Sequence, residues 1–352
     1  MMTPFVYNCL PARVIFGSGT LAQLPAEIDR LGLSRVIVLA TPQQKSDAER
    51  TATSLGGRAT GVFAEAAMHT PVEVTERALA AVKAMQADGT IAIGGGSTTG
   101  LGKAIALRTG LPQIVVPTTY AGSEMTPILG ETKAGIKTTI RSLKVLPETV
   151  IYDVDLTMTL PVNLSGTSGI NAIAHAVEAL YAQDHNPVIA MMAEDGIRAL
   201  AKALPRIAKD PRDRGARTQA LYGAWLCGSC LGSVGMALHH KLCHTLGGSF
   251  DLPHAETHTV VLPHAVAYNA DAAPEAMAAL ARALGVSDPA GGLYDLAGAA
   301  GAKRALRDLG MPESGIDRAA DLTMANPYWN PRPLERQANR DLIARAWAGE
   351  RP

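Results

Sequence analysis

The chain lacks the features that would mark it as exported, membrane-bound or polyanion-binding. Four cysteines in 352 residues, Cys9, Cys227, Cys230 and Cys243, are too few for a disulfide framework and suit a reducing cytoplasm. Neither sign of charge is in excess. Its 32 basic residues balance 32 acidic ones, which argues against a nucleic-acid surface and against a polybasic membrane contact. No apolar run approaches a membrane span, and the opening MMTPFVYNCLPARVIFG has no charged region followed by an apolar core. A soluble, unexported, cytoplasmic protein is expected. Internal repeats and low-complexity tracts are absent as well.

What is present divides in two. The length exceeds one ordinary hydrophobic core, so two domains are expected, with residues 1–160 and 161–352 as their bounds. In the first part, RVIVLA (35–40), TIAIG (90–94) and QIVVP (113–117) are short apolar runs ended by Gly, Thr or Pro, as buried parallel strands require. TPVEVTERALAAVKAMQA (70–87) has helical spacing, with Pro71 placed in the first turn after Thr70. This half reads as an α/β dinucleotide-binding domain with a doubly wound sheet. After VIYDVDLTMTLP the text turns to long helical stretches, such as MAEDGIRALAKALPRIA and PEAMAALARALG. They predict an all-α C-terminal domain joined near residues 159–162, with the catalytic cleft between the two.

IAIGGGSTTGLGKAIAL (91–107) reads as strand, glycine turn and helix. Gly94, Gly95 and Gly96 allow close approach of a pyrophosphate, and the helix start after them offers free N–H groups and the positive end of the dipole. The motif is not GxGxxG and is weak alone, since a structural turn would look the same. PTTYAGSEMTP (117–127) strengthens it by adding hydroxyls at the carboxyl edge of the next strand. No carboxylate stands at Thr41 in LATPQQK to hold the adenosine ribose, so NADH and NADPH are both expected to be accepted.

In the second part, GINAIAHAVEAL places Asn171 and His175 four residues apart, on one helical face. Downstream, HHKLCHTLGGSFDLPHAETH crowds further histidines together. The grouping suggests a metal site on helices, except that an amide stands among the donors. CGSC (227–230) has redox or zinc spacing but lies in the apolar GAWLCGSCLGSVGMAL, so close helix packing is the expectation. His258 and His264 are expected in supporting roles, and His69 is either a cleft residue or an ordinary loop histidine.

GGGSTTGLGKA, PTTYAGSEMTP, GINAIAHAVEA and HHKLCHTLGGSFDLPH, in this order, resemble the iron-containing alcohol dehydrogenase family of the dehydroquinate synthase-like superfamily. The resemblance runs from VIFGSGTLAQLP to NPYWNPRP, effectively the whole chain. It implies a homodimer and cofactor contacts at Gly94, Gly95, Gly96, Ser97, Thr118, Thr119 and Lys137. The family's metal ligands fall on Asn171, His175, His240 and His254, where the single anionic ligand has become an amide. Gly100 and Tyr120 also depart from the metal-dependent pattern. The expectation is therefore a site without metal, whose side chains act as hydrogen-bond donors.

The pattern is similar to that of a reductase branch which reduces the conjugated C=C bond of a small dicarboxylate enone. His244, which matches the family histidine near the nicotinamide, is then the first choice for stabilising or protonating the developing enolate, and Tyr328 the second. Lys241 and Arg332 adjoin the motifs as candidate carboxylate partners or as plain surface charges. The alternatives are a metal-dependent alcohol or polyol dehydrogenase, a dehydroquinate synthase-like lyase, and a nucleotide-binding protein without turnover.

Overall fold

The structure, a computed structural model, describes residues 5–325 and 328–352, apart from the side chains of Ile136 and Lys137. Two compact units emerge: Leu10–Leu160, and Pro161–Pro352 joined by the N-terminal residues up to Cys9.

The first unit is built on the strands β1 (Arg13–Gly17), β2 (Val36–Leu39), β3 (Ala59–Phe63), β4 (Gly89–Gly94), β5 (Gln113–Pro117) and β8 (Thr149–Asp153), in the parallel order β1-β8-β5-β4-β2-β3. Alternate residues feed opposite faces, as strand geometry demands. Val36, Val38, Ile91 and Ile93 pack with α1 (Leu24–Arg30) and α2 (Lys45–Leu55) on one side. Ile37 and Leu39 pack with α3 (Val72–Ala84) and α4 (Gly96–Thr109) on the other. Covering both faces explains why these strands read as unbroken apolar runs. An antiparallel hairpin, β6 (Ile128–Lys133) with β7 (Ile136–Arg141), stands apart from the sheet.

The second unit contains α5 (Val162–Leu180), α6 (Pro187–Lys209), α7 (Arg214–Ser233), α8 (Leu238–Phe250), α9 (His254–Asn269), α10 (Pro274–Leu284), α11 (Pro289–Ala299), α12 (Gly315–Met324) and α13 (Arg336–Ala348). Among the described residues it holds no strand. From Ser165 to Leu180 α5 is buried all round, as expected of a helix at the centre of a bundle. The CGSC cysteines do pack. A Cβ on Gly196 of α6 would meet the Cys227 sulfur of α7 at 2.8 Å, so the small residues let the two helices approach closely.

One local expectation is corrected. Pro71 is the N-cap of α3, not a residue of its first turn, and Thr70 before it has a φ of 46°. Thr70 and Pro71 are instead tied to β6, where Thr132 N–H donates to the Thr70 carbonyl at 3.2 Å and Pro71 bridges Thr132. That lateral pairing, together with the restriction a proline places on its predecessor, delays the helix to Val72.

Candidate active site

The nucleotide loop of the first unit is made mostly of backbone. β4 runs into Gly94, whose φ of 153° disfavours a side chain and whose added Cβ would strike Thr98 and Gln44. Gly95 caps α4, and an added Cβ there would lie 2.9 Å from Thr119. Thr98 and Thr99 N–H both donate back to the Gly95 carbonyl, while the N–H groups of Gly96 and Ser97 have no partner among the described residues. Thr118 N–H donates to the Gly94 carbonyl at 3.0 Å, and Gln44 Nε2 donates to Thr118 Oγ1 at 2.9 Å. Gly94, Gly95, Gly96, Ser97, Thr118 and Thr119 thus meet at one sheet edge, with the start of α4 among them. The Lys137 side chain lies outside the described residues.

Behind this loop, Lys103 is fully buried. Its ammonium donates to the carbonyls of Ser123, Thr126 and Ile128 at 2.6, 2.7 and 2.9 Å, and to Thr126 Oγ1 at 2.9 Å. Burial pushes its pKa down to about 7, opposed by the nearby Glu124. Gly100, next to it, has no room for the carboxylate of the family pattern, because an added Cβ would strike Thr70 Oγ1.

The second unit gathers its groups from three helices. α5 supplies Asn171, His175 and Glu178, all buried. Glu178 Oε2 accepts from Ala237 N–H at 2.8 Å and from His240 Nδ1 at 2.7 Å, and Oε1 accepts from His239 N–H at 2.7 Å. A carboxylate from α5 therefore caps the start of α8, whose own N-cap Ala237 offers no side-chain oxygen. The same contact fixes a tautomer. With Nδ1–H on Glu178, His240 presents Nε2 as an acceptor to His175 Nδ1 at 2.8 Å. His239 and His258, a further buried pair, lie 2.9 Å apart. Burial first, then the surrounding histidines, holds both far below the ordinary imidazole pKa and so neutral.

His254 opens α9, its ring 4.4 Å from that of His258 and 6.4 Å from that of His244. His244 is exposed, one turn after His240, at 6.3 Å between ring centres. Tyr328 lies in the segment before α13, and its hydroxyl is buried with no hydrogen-bond partner among the described residues. The Asn326 and Pro327 that begin NPYWNPRP lie outside the described residues.

Of the four positions matching the family's metal ligands, two are bonded directly to each other in this arrangement. His175 and His240 spend the facing nitrogens on each other at hydrogen-bond distance, whereas two ligands on a tetrahedral ion with metal–nitrogen bonds of about 2.1 Å would stand about 3.4 Å apart. Asn171 Oδ1 is buried without a partner and brings no charge. Among the described residues, the group whose donor atoms all lie within 4.8 Å of one another is His239, Cys243 and His258, none of them a matched position.

Of the sequence-predicted residues, the structure brings Asn171, His175, His240, His244 and His254 into one unit around α5, α8 and α9. Sequence reasoning missed Glu178 and Gln44. Glu178 had a signal, since it stands three residues after His175 and seven after Asn171, on the same helical face. Gln44 had only its place after a strand end.

Models of the iron-containing alcohol dehydrogenase family match residues 11–154, and those of its C-terminal region match residues 165–347. A relative from Rhizobium sp. (strain MTP-10005) named maleylacetate reductase is 59% identical over 100% of both chains, and one of the same name from Burkholderia cepacia is 57% identical over 100% of both. A crystal structure of maleylacetate reductase from Agrobacterium tumefaciens superposes with a TM-score of 0.97 at 60% identity, again covering 100% of each chain. With both halves matched and the fold shared end to end, the chain belongs to the iron-containing alcohol dehydrogenase family of NAD(P)-dependent oxidoreductases.

Proposed function

We propose that this protein reduces maleylacetate to 3-oxoadipate with NADH or NADPH in the breakdown of aromatic compounds, without a metal ion. The carrying observation is the Glu178–His240–His175 chain, which joins two of the four matched ligand positions, His240 and His175, through hydrogen bonds. Gly94, Gly95, Gly96, Ser97, Thr118, Thr119 and Lys137 would hold the dinucleotide, which when bound supplies the hydride. The alkene carbon β to the ketone accepts it, charge moves onto the ketone oxygen, and the α carbon takes a proton.

A conjugated enone is already activated, so preorganised donors can do what a Lewis acid does for an unactivated carbonyl. His244 would protonate the enolate, a reading supported by its exposure at the rim of the histidine group. His240 has both ring nitrogens engaged and serves as the link that orients His175. Asn171 in place of an aspartate removes one anion that would repel the substrate dianion, while the Glu178 carboxylate is held by three N–H donors. His254 flanks His244 and His258. Tyr328, whose phenol burial holds above its ordinary pKa, suits hydrogen-bond donation better than acid catalysis.

The protein is expected to work as a cytoplasmic homodimer that meets no nucleic acid and no membrane. Among the described residues no single helix is long and apolar enough to cross one. The test is oxidation of reduced nicotinamide with maleylacetate, on protein of measured metal content after exhaustive chelation. Full turnover by metal-free protein is expected. Activity that disappears with the metal would favour the metal-dependent dehydrogenase reading, and no turnover in either state would leave nucleotide binding alone.

A further inference from the structure

A dianionic substrate needs a cationic partner, and two cations adjoin the motifs of the helical unit. The structure employs them differently. The guanidinium of Arg332 lies 4.3 Å from the centre of the Tyr268 ring, and its Nη1 donates to the Tyr268 carbonyl at 3.3 Å. Asn330 Nδ2 donates to the Arg332 carbonyl at 2.7 Å and to Asn269 Oδ1 at 2.7 Å. Arg332 is a brace that ties its segment to α9. Arg217, the fully buried cation of this unit, is likewise committed, to Pro211 O and Ser165 Oγ.

Lys241 is different. It is half-buried on α8, one residue after His240 and three before His244, so it shares a flank of the helix with His244. Among the described residues its ammonium has no hydrogen bond and no ion pair. It hovers 5.6 Å from the centre of the Tyr328 ring, a cation–π contact that holds the charge in place without neutralising it. Tyr328 carries the unpartnered buried hydroxyl and lines a cavity of about 350 Å³ with Met324, Trp329, Arg332 and Leu334. Lys241 is not itself among the residues lining that cavity, but its ammonium, without an ion pair, stands over the ring of the residue whose hydroxyl is unpartnered, and the two together offer donors to a carboxylate.

We infer that Lys241 anchors one carboxylate of the substrate, with the Tyr328 hydroxyl donating to the same group, and that this pair sets the preference for a dianionic enone. The inference rests on the proposed reductase reading, which supplies the dicarboxylate. Held there, the remainder of the substrate extends along the flank of α8 toward His244.

Two measurements on NADH-saturated protein test this. One is the affinity for adipate, an unreactive six-carbon dianion, by calorimetry; the other is the steady-state reduction of maleylacetate. Lys241→Met is expected to weaken adipate binding and raise the KM for maleylacetate at least tenfold, with most of the loss in KM rather than kcat. Lys241→Arg should recover part of it, and Tyr328→Phe should lose less than Lys241→Met. Equal adipate affinity in wild type and Lys241→Met, or no adipate binding by wild type, overturns the inference. If wild type binds adipate and Lys241→Met does not, yet maleylacetate is never reduced, the anchor stands and the reductase reading fails.

Discussion

Glu124 in the α/β unit and Glu178 in the helical unit are both buried and both collect donors, with opposite results. Glu124 accepts from Tyr152 OH at 2.8 Å and sits in the field of Lys103, whose ammonium is surrounded by four oxygen atoms. Nothing polar is left over on Lys103. Burial drives the Glu124 pKa up, and the Tyr152 and Lys103 contacts pull it back. This is a closed network whose product is a fixed loop, the one that follows Thr118 and Thr119. Glu178 also satisfies its donors, but the chain it starts continues through His240 to His175 and borders groups with nothing to bond, Asn171 Oδ1, His258 Nε2 and the Tyr328 hydroxyl. Buried polar atoms left without partners cost stability, so a cluster of them around an anchored carboxylate marks the region that has been kept for a ligand. The comparison teaches that neither burial of a charge nor its own hydrogen bonding separates these two carboxylates, whereas the unpartnered polar groups that border the Glu178 chain do.

The comparison breaks most visibly at Lys103. Lys103→Met would take the ammonium donor away from four oxygens, of which the Ser123 carbonyl keeps donors from Thr126, and would leave Glu124 without its counter-charge. The expected loss is about 3–5 kcal/mol of unfolding free energy, the range for a buried ionic network deprived of one member. Urea unfolding reads it directly. Protein that remains folded should bind NADH more weakly, because the Ser123–Ile128 stretch loses its tether. A variant of unchanged stability would mean that the closed network is dispensable and that its closure does not distinguish the two carboxylates.

His264 sharpens the same distinction, since it is an orphan that belongs to no cluster. Its Nε2 is buried without a partner, and burial, aided by Arg345, takes its pKa from 6.5 down to about 4. The folded value is depressed, so between pH 6.5 and 4 the unfolded chain binds more protons than the folded one. Stability is complete above 6.5 and falls as pH drops through that window, by about 3 kcal/mol in all. His264→Leu should flatten this part of the stability curve while leaving the KM for maleylacetate unchanged. An altered KM would place His264 in the site and remove the contrast.

How far the sequence discloses these networks depends on how local they are. β4, β5 and α10 follow from runs of adjacent residues, and the glycine loop is legible because Gly94 to Ser97 is one contiguous turn. Thr118 and Thr119 come from the next strand and are found by the same rule about carboxyl edges. The histidine group was legible as a set, through the spacing of Asn171 with His175 and the family resemblance that matched His240 and His254, but its wiring was not. That His240 turns one nitrogen to Glu178 and the other to His175 depends on how α5 and α8 pack, 62 and 65 residues apart in sequence. Thr70 and Pro71 went astray for the same reason, because a lateral pairing with β6 overrode a local helix signal.

The smallest expected effect is the one that bears most on the site. Glu178→Gln preserves size but keeps only one acceptor oxygen, so with that oxygen toward Ala237 N–H the His239 N–H loses its acceptor, and α8 should keep part of its cap and fold with a small loss of stability. What the amide cannot preserve is the charge that holds the proton of His240 on Nδ1. The ring is then free to take the other tautomer, Nε2 becomes a donor facing the Nδ1 of His175, and the two rings compete where they had cooperated. Loss of an outer carboxylate on a functional histidine costs about 10–100-fold in activity, and the fall is expected in kcat, with NADH affinity unchanged because the proposed nucleotide loop lies in the other unit. Steady-state kinetics beside a urea melt separates the outcomes. A drop in kcat with only a small loss of stability makes Glu178 the residue that orients the histidine pair, whereas a large loss of stability with kcat unchanged in the folded protein would reduce it to a helix cap and make the two buried carboxylates alike after all.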